Sequence, residues 1–139
     1  MEQPEQPEQR KSERVQFFQM PRNEELVPVW VFQRASEDSV LGLLLDFSSD
    51  GVQILTDKSR RLDGDAYELI AYVDETDSSN FVSARVHRQW SKPVGTLYIR
   101  NGFSFADRDV SMPCCEAMFA ARDAGLQWLR CEIVTPRAV

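Results

Sequence analysis

Histidine occurs once, at His87, and the three cysteines, Cys114, Cys115 and Cys131, fall at no metal-ligand spacing and make no even framework for a disulfide-stapled fold. A cysteine or hydroxyl nucleophile needs a base beside it. One imidazole on the polar side of its strand offers little toward that role, so hydrolytic and metal-dependent chemistry are disfavoured and no catalytic or metal-ligating set is expected. A basic surplus is lacking as well: 16 Lys and Arg stand against 22 Asp and Glu, a net charge of -6. That balance does not suit neutralising nucleic-acid phosphates or an anionic membrane, although a local arginine cluster can still hold a single anion. No apolar run approaches the ~18 residues of a membrane span, and Met1 to Pro7 carry neither a basic n-region nor an apolar h-region. The expectation is a cytoplasmic protein with reduced thiols.

What is present suits one domain. Over 139 residues, 42% hydrophobic and 27% charged content supports a single core of modest size rather than two. Residues 1–9 repeat Glu-Gln-Pro with no apolar group after Met1, so nothing there offsets the entropy of ordering, and a disordered tail is expected. Six short β-forming stretches follow: 26–32 (with Pro28 at an edge), 40–47, 52–56, 66–73, 81–90 and a last one carrying Leu97, Ile99, Phe103 and Phe105 on one face. In 81–90 the alternation is clear, Val82, Ala84 and Val86 against Ser83, Arg85 and His87, and Trp90 continues the apolar side. After Asp109 the period changes. Cys115, Met118, Phe119, Leu126 and Leu129 recur at helical spacing, Asp109 or Ser111 is the candidate N-cap, and Gly125 is the point at which a helix would end. Six strands each with one apolar side predict an all-β fold with an added helix, a small six-stranded antiparallel β-barrel followed by a C-terminal α-helix. The expected organisation is a tail over 1–9, the barrel over 10–109 and the helix and tail over 110–139.

Between the two most apolar runs, Val40 to Leu45 and Val52 to Leu55, stands Asp46-Phe47-Ser48-Ser49-Asp50-Gly51. Carboxylate, hydroxyls and glycine make tight turns, and they also offer hydrogen bonds to a polar ligand. Upstream lies Arg10-Lys11-Ser12-Glu13-Arg14, whose two arginines are four apart and so can share one side of a helical turn or a strand. Their bland alternative is a solvated basic patch balancing Glu8 and Glu13.

An Arg-x-x-x-Arg pair followed at a strand-to-strand turn by Asp-x-Ser-x-x-Gly resembles the PilZ domains, bacterial receptors for cyclic di-GMP. Gly42, Trp90 and Gly102-Phe103-Ser104-Phe105 are similar to that family's further landmarks, and the likeness runs from Arg10 to about Asp107. The resemblance implies a barrel of this kind. It also implies a binding module rather than an enzyme, with cyclic di-GMP as ligand and no other cofactor. Arg10, Arg14, Asp46, Ser48 and Gly51 would form the site, with Trp90 as a further candidate for stacking on a base. An arginine can fork onto guanine O6 and N7 or onto a phosphate, and a carboxylate can accept from guanine N–H groups. Such a receptor would regulate a downstream protein partner by changing shape or surface. The alternative is a PilZ-like module that binds proteins and no nucleotide.

Overall fold

The computed structural model describes residues 14–18, 39–59, 62–74, 77 and 79–136. The elements are β1 (Val15–Gln16), β2 (Ser39–Phe47), β3 (Gly51–Asp57), β4 (Ala66–Tyr72), β5 (Phe81–Val94), β6 (Tyr98–Phe105), α1 (Arg108–Asp123) and β7 (Arg130–Val134). The strands run in the order β1-β2-β3-β6-β5-β4-β7, and β7 pairs back onto β2. Strands β2 to β7 therefore form a closed six-stranded antiparallel barrel, with β1 added outside on β2 and α1 as the helix, which is the fold class read from the sequence.

The composition of the barrel differs from expectation in one strand. Its sixth member is β7, which pairs with both β2 and β4, so residues 130–134 belong to the barrel and do not form a tail. Cys131 and Ile133 alternate inward there, too short a signal beside the helical pattern that precedes them. The expected strand at 26–32 lies outside the described residues.

Alternation selects the interior. Leu44, Ile54, Leu69, Ala71, Val86 and Ile133 are fully buried and form the main core with Phe47, Val52 and Phe103. On the opposite face, Leu43 and Leu45 of β2, Leu55 of β3 and Tyr98 of β6 make a second apolar cluster, to which Phe18 and Trp128 add. Helix α1 lays Cys114, Met118 and Ala121, spaced by four and three, into the main core. Its N-cap is Asp107, which accepts from the Asp109 N–H at 2.9 Å, two residues before Asp109 and four before Ser111, the expected caps. It ends as predicted at Gly125, whose φ of 97° is left-handed. The Gly125 and Leu126 amides there donate back to the Arg122 and Ala121 carbonyls, a Schellman closure. Two expected core side chains are outside: Leu97 is in the turn before β6, and Phe119 points away from the barrel, 46% exposed.

Candidate functional site

Two irregularities in the ladders decide what the barrel shows on its outer face. Along β2 and β3 the pairing runs Leu43 with Leu55 and Leu44 with Ile54, then jumps to Asp46 with Gln53 and Phe47 with Val52. The extra residue in β2 inverts the alternation, so Phe47 turns into the core and Asp46 turns out of it. A second shift between Arg88 and Trp90 acts on β5 in the same way: Arg88 pairs with Phe103, but Trp90 pairs with Gly102. Trp90 thus leaves the face of Val82, Ala84 and Val86, where the sequence placed it, and lies on the outside. The row Asp46, Gln53, Gly102, Trp90 now runs across β2, β3, β6 and β5, three strand spacings or about 14 Å.

At the β2 end of this row sits Arg14. Strand β1 pairs Gln16 with Asp46, and Phe17 and Phe18 donate their amides to the Leu45 and Leu44 carbonyls, which carries Arg14 to the turn. Its Nε donates to Asp46 Oδ1 at 2.8 Å, and Nη2 is 2.6 Å from the same oxygen. Nη1 donates to Ser48 Oγ at 3.3 Å, and Nη2 to the Gly51 carbonyl at 3.5 Å. Asp46 and Ser48 are each 4% exposed, so this is a charge pair at the barrel surface with its carboxylate largely out of water. Oδ2 takes no hydrogen bond from a described residue.

The turn itself is closed by the Ser48 amide donating to the Gly51 carbonyl at 2.8 Å and by the Asp50 amide donating to Ser48 Oγ at 3.1 Å. Gly51 has a reason of its own to be glycine, because a Cβ there would run into the Phe103 carbonyl on β6. Gly102 gives similar room to Trp90, whose indole occupies the space of the missing side chain. Lys92 Nζ lies 5.5 Å from the indole centroid. In the neighbouring row Gln89 Nε2 donates to Ser104 Oγ at 2.8 Å.

Comparison with protein-family models, curated proteins and solved structures gives no match. The arrangement is therefore judged on its own chemistry: a guanidinium, a buried carboxylate with one oxygen that no described residue bonds, a hydroxyl and, beyond Gln53, an indole lying over Gly102. Four predicted residues, Arg14, Asp46, Ser48 and Gly51, are brought into one hydrogen-bonded group, and Trp90 shares their outer face. Arg10 lies outside the described residues. Val15 to Phe18 are already paired with β2, through β1 and the two amides that follow it.

Sequence reasoning missed Gln53, which separates Asp46 from Gly102, and it missed the attachment of α1 to the motif. Cys115 Sγ donates to the Ser48 carbonyl at 3.2 Å, Arg122 Nε donates to the Gln16 carbonyl at 2.8 Å, and Arg108 lies 4.0 Å from Asp50. Residues 108, 115 and 122 are seven apart, a spacing that could have been noticed as one stripe of the helix. Burial first, and the neighbouring Glu116 second, push the Cys115 thiol up to about 11, the reverse of an activated nucleophile.

Proposed function

We propose that this chain is a cyclic di-GMP receptor of the PilZ type, a bacterial cytoplasmic binding module and not an enzyme. The observation that carries the reading is the convergence of Arg14, Asp46, Ser48 and the Gly51 carbonyl, from positions 32 to 37 residues apart, on the outer face that also carries Trp90. The two bulges supply that face with the groups a guanine needs. The Asp46 carboxylate can accept from N1–H and N2–H, the Arg14 fork can serve O6 and N7 or a phosphate, and the Trp90 ring can stack on a base. The indole reaches back over Gly102, so Asp46 and the ring stand about two strand spacings apart, ~10 Å, with Gln53 between them.

Titration calorimetry with cyclic di-GMP tests the reading. Saturable binding is expected, lost in Asp46→Ala. Cyclic di-AMP, lacking O6 and the N2 donor, should bind more weakly by about 1 to 3 kcal/mol for each bidentate contact forgone. Absence of heat with both dinucleotides removes the proposal, and equal affinity for the two reduces the site to a phosphate reader.

A second reading is favoured by Arg14 being already engaged with three partners of its own chain. On that reading the cluster is a structural clamp holding β1 to the barrel, and the surface serves a protein partner without nucleotide. The same titration separates the two.

A further inference from the structure

Along α1, Met112, Glu116, Phe119 and Asp123 recur at steps of four, three and four and so share one side of the helix, opposite Cys114, Met118 and Ala121. That side is open to solvent, with Met112 51% and Phe119 46% exposed. Between it and the edge formed by β1 and the Ser48 turn runs a groove of about 460 Å³, walled by Val15, Phe47, Phe119 and Ala120, with Glu116 and Asp123 at its rim. Among the described residues, no lysine or arginine lines it. An exposed phenylalanine over Val15 and Phe47, with Glu116 and Asp123 as the charged residues of its described lining and Arg14 and Arg122 turned to bonds with Ser48 and Gln16, is a surface with a preference for what covers it.

We propose that this groove docks a basic amphipathic segment of a partner protein. An apolar side chain of that segment enters between Val15, Phe47 and Phe119, and flanking lysines or arginines pair with Glu116 and Asp123. The chain's own first thirteen residues do not have this chemistry, carrying four glutamates and no apolar group after Met1. A second copy using the same face would set Glu116 and Asp123 against their equivalents, since a two-fold contact is made of one patch twice. The inference does not depend on nucleotide binding.

The test uses the full chain without nucleotide and a fluorescent helical peptide with leucines on one side flanked by lysines. A control peptide has every lysine replaced by glutamate. The lysine peptide is expected to bind and the glutamate peptide not to. Phe119→Ala, at a half-exposed side chain that leaves the core intact, should weaken the lysine peptide roughly tenfold, as for loss of an aromatic anchor. Glu116→Lys with Asp123→Lys should abolish its binding. Peptide binding that survives both variants would be bulk attraction to an acidic protein and overturns the proposal. It is overturned equally by sedimentation showing a dimer that Phe119→Ala dissociates, because the groove then belongs to a second copy.

Discussion

Arg14 places two guanidinium nitrogens on one oxygen of Asp46, at 2.8 and 2.6 Å, while its own side chain keeps 18% exposure against 5% for the aspartate. The two partners are therefore unequal. Removing the arginine leaves a carboxylate largely out of water with no counter-charge among the described residues, whereas removing the aspartate leaves a guanidinium that water can reach.

Arg14→Ala is expected to lower stability by about 1 to 3 kcal/mol, and the double change with Asp46→Ala to recover part of the loss. Urea denaturation of the two single variants and the double variant measures this. Equal, negligible effects would mean that the pair carries no coupling. A solvated arginine could be changed without effect on stability; the bonds of Arg14 to Asp46, Ser48 and the Gly51 carbonyl predict a loss.

The amides of Phe17 and Phe18, bonded to the Leu45 and Leu44 carbonyls, should exchange slowly in the free protein. Hydrogen exchange followed by mass spectrometry decides the point. If cyclic di-GMP is the ligand, its addition should then alter the motif and α1, which meet at the Ser48 carbonyl, more than it alters β1.

Trp90 should contribute to affinity and little to the core. Trp90→Leu is expected to weaken cyclic di-GMP by about 1 to 3 kcal/mol, the range for a base stacked on an aromatic ring, and Trp90→Phe by less. Gly102→Ala, whose Cβ would strike the indole, should displace the ring and weaken binding in the same direction. Calorimetry on the three variants is the measurement, and unchanged affinity in all of them would place the base elsewhere.

Gly51→Ala forces the new Cβ against the Phe103 carbonyl, which is backbone and cannot swing aside. A loss of about 1 to 3 kcal/mol is expected even without ligand, seen as a lowered melting temperature. A fully stable Gly51→Ala that only loses nucleotide binding would show that the glycine serves the ligand and not the barrel.

The thiols respond to pH in a defined direction. Burial raises Cys114 from 9.0 to about 12, with the charge of Cys115 a lesser cause, and burial with Glu116 raises Cys115 to about 11. Cys131 is raised too, by burial first and Cys114 second. A folded-state value above the unfolded one means that the unfolded chain loses its protons first. The cysteine contribution is therefore fully present below about pH 9 and is lost as pH rises through the folded values. Stability measured between pH 8 and 10.5 should fall, and by less in Cys114→Ala than in the parent, each compared with its own value at pH 8. At pH 8 a maleimide should label Cys115, half-buried, ahead of the buried Cys114 and Cys131.

Period and turn chemistry were enough to read five of the six barrel strands, the helix and its stop at Gly125, because alternation and helical spacing are local properties of the chain. It was the resemblance to the PilZ motif, and not period or turn chemistry, that set Asp46, Ser48, Gly51 and Arg14 together. What local pattern could not supply was the face on which each residue stands beyond a bulge. One inserted residue reverses every side chain after it, and its position is set by the pairing of β2 with β3 and of β5 with β6, not by the local residues. That is why Trp90 reads as core and stands outside. It is also why Phe119, apolar and at helical spacing, counts as buried in the sequence: the direction from which the barrel meets α1 is a tertiary fact. The closing strand β7 belongs to the same class. Five residues with two inward positions make a strand only because β2 and β4 each present a free edge to it, and a barrel must use both.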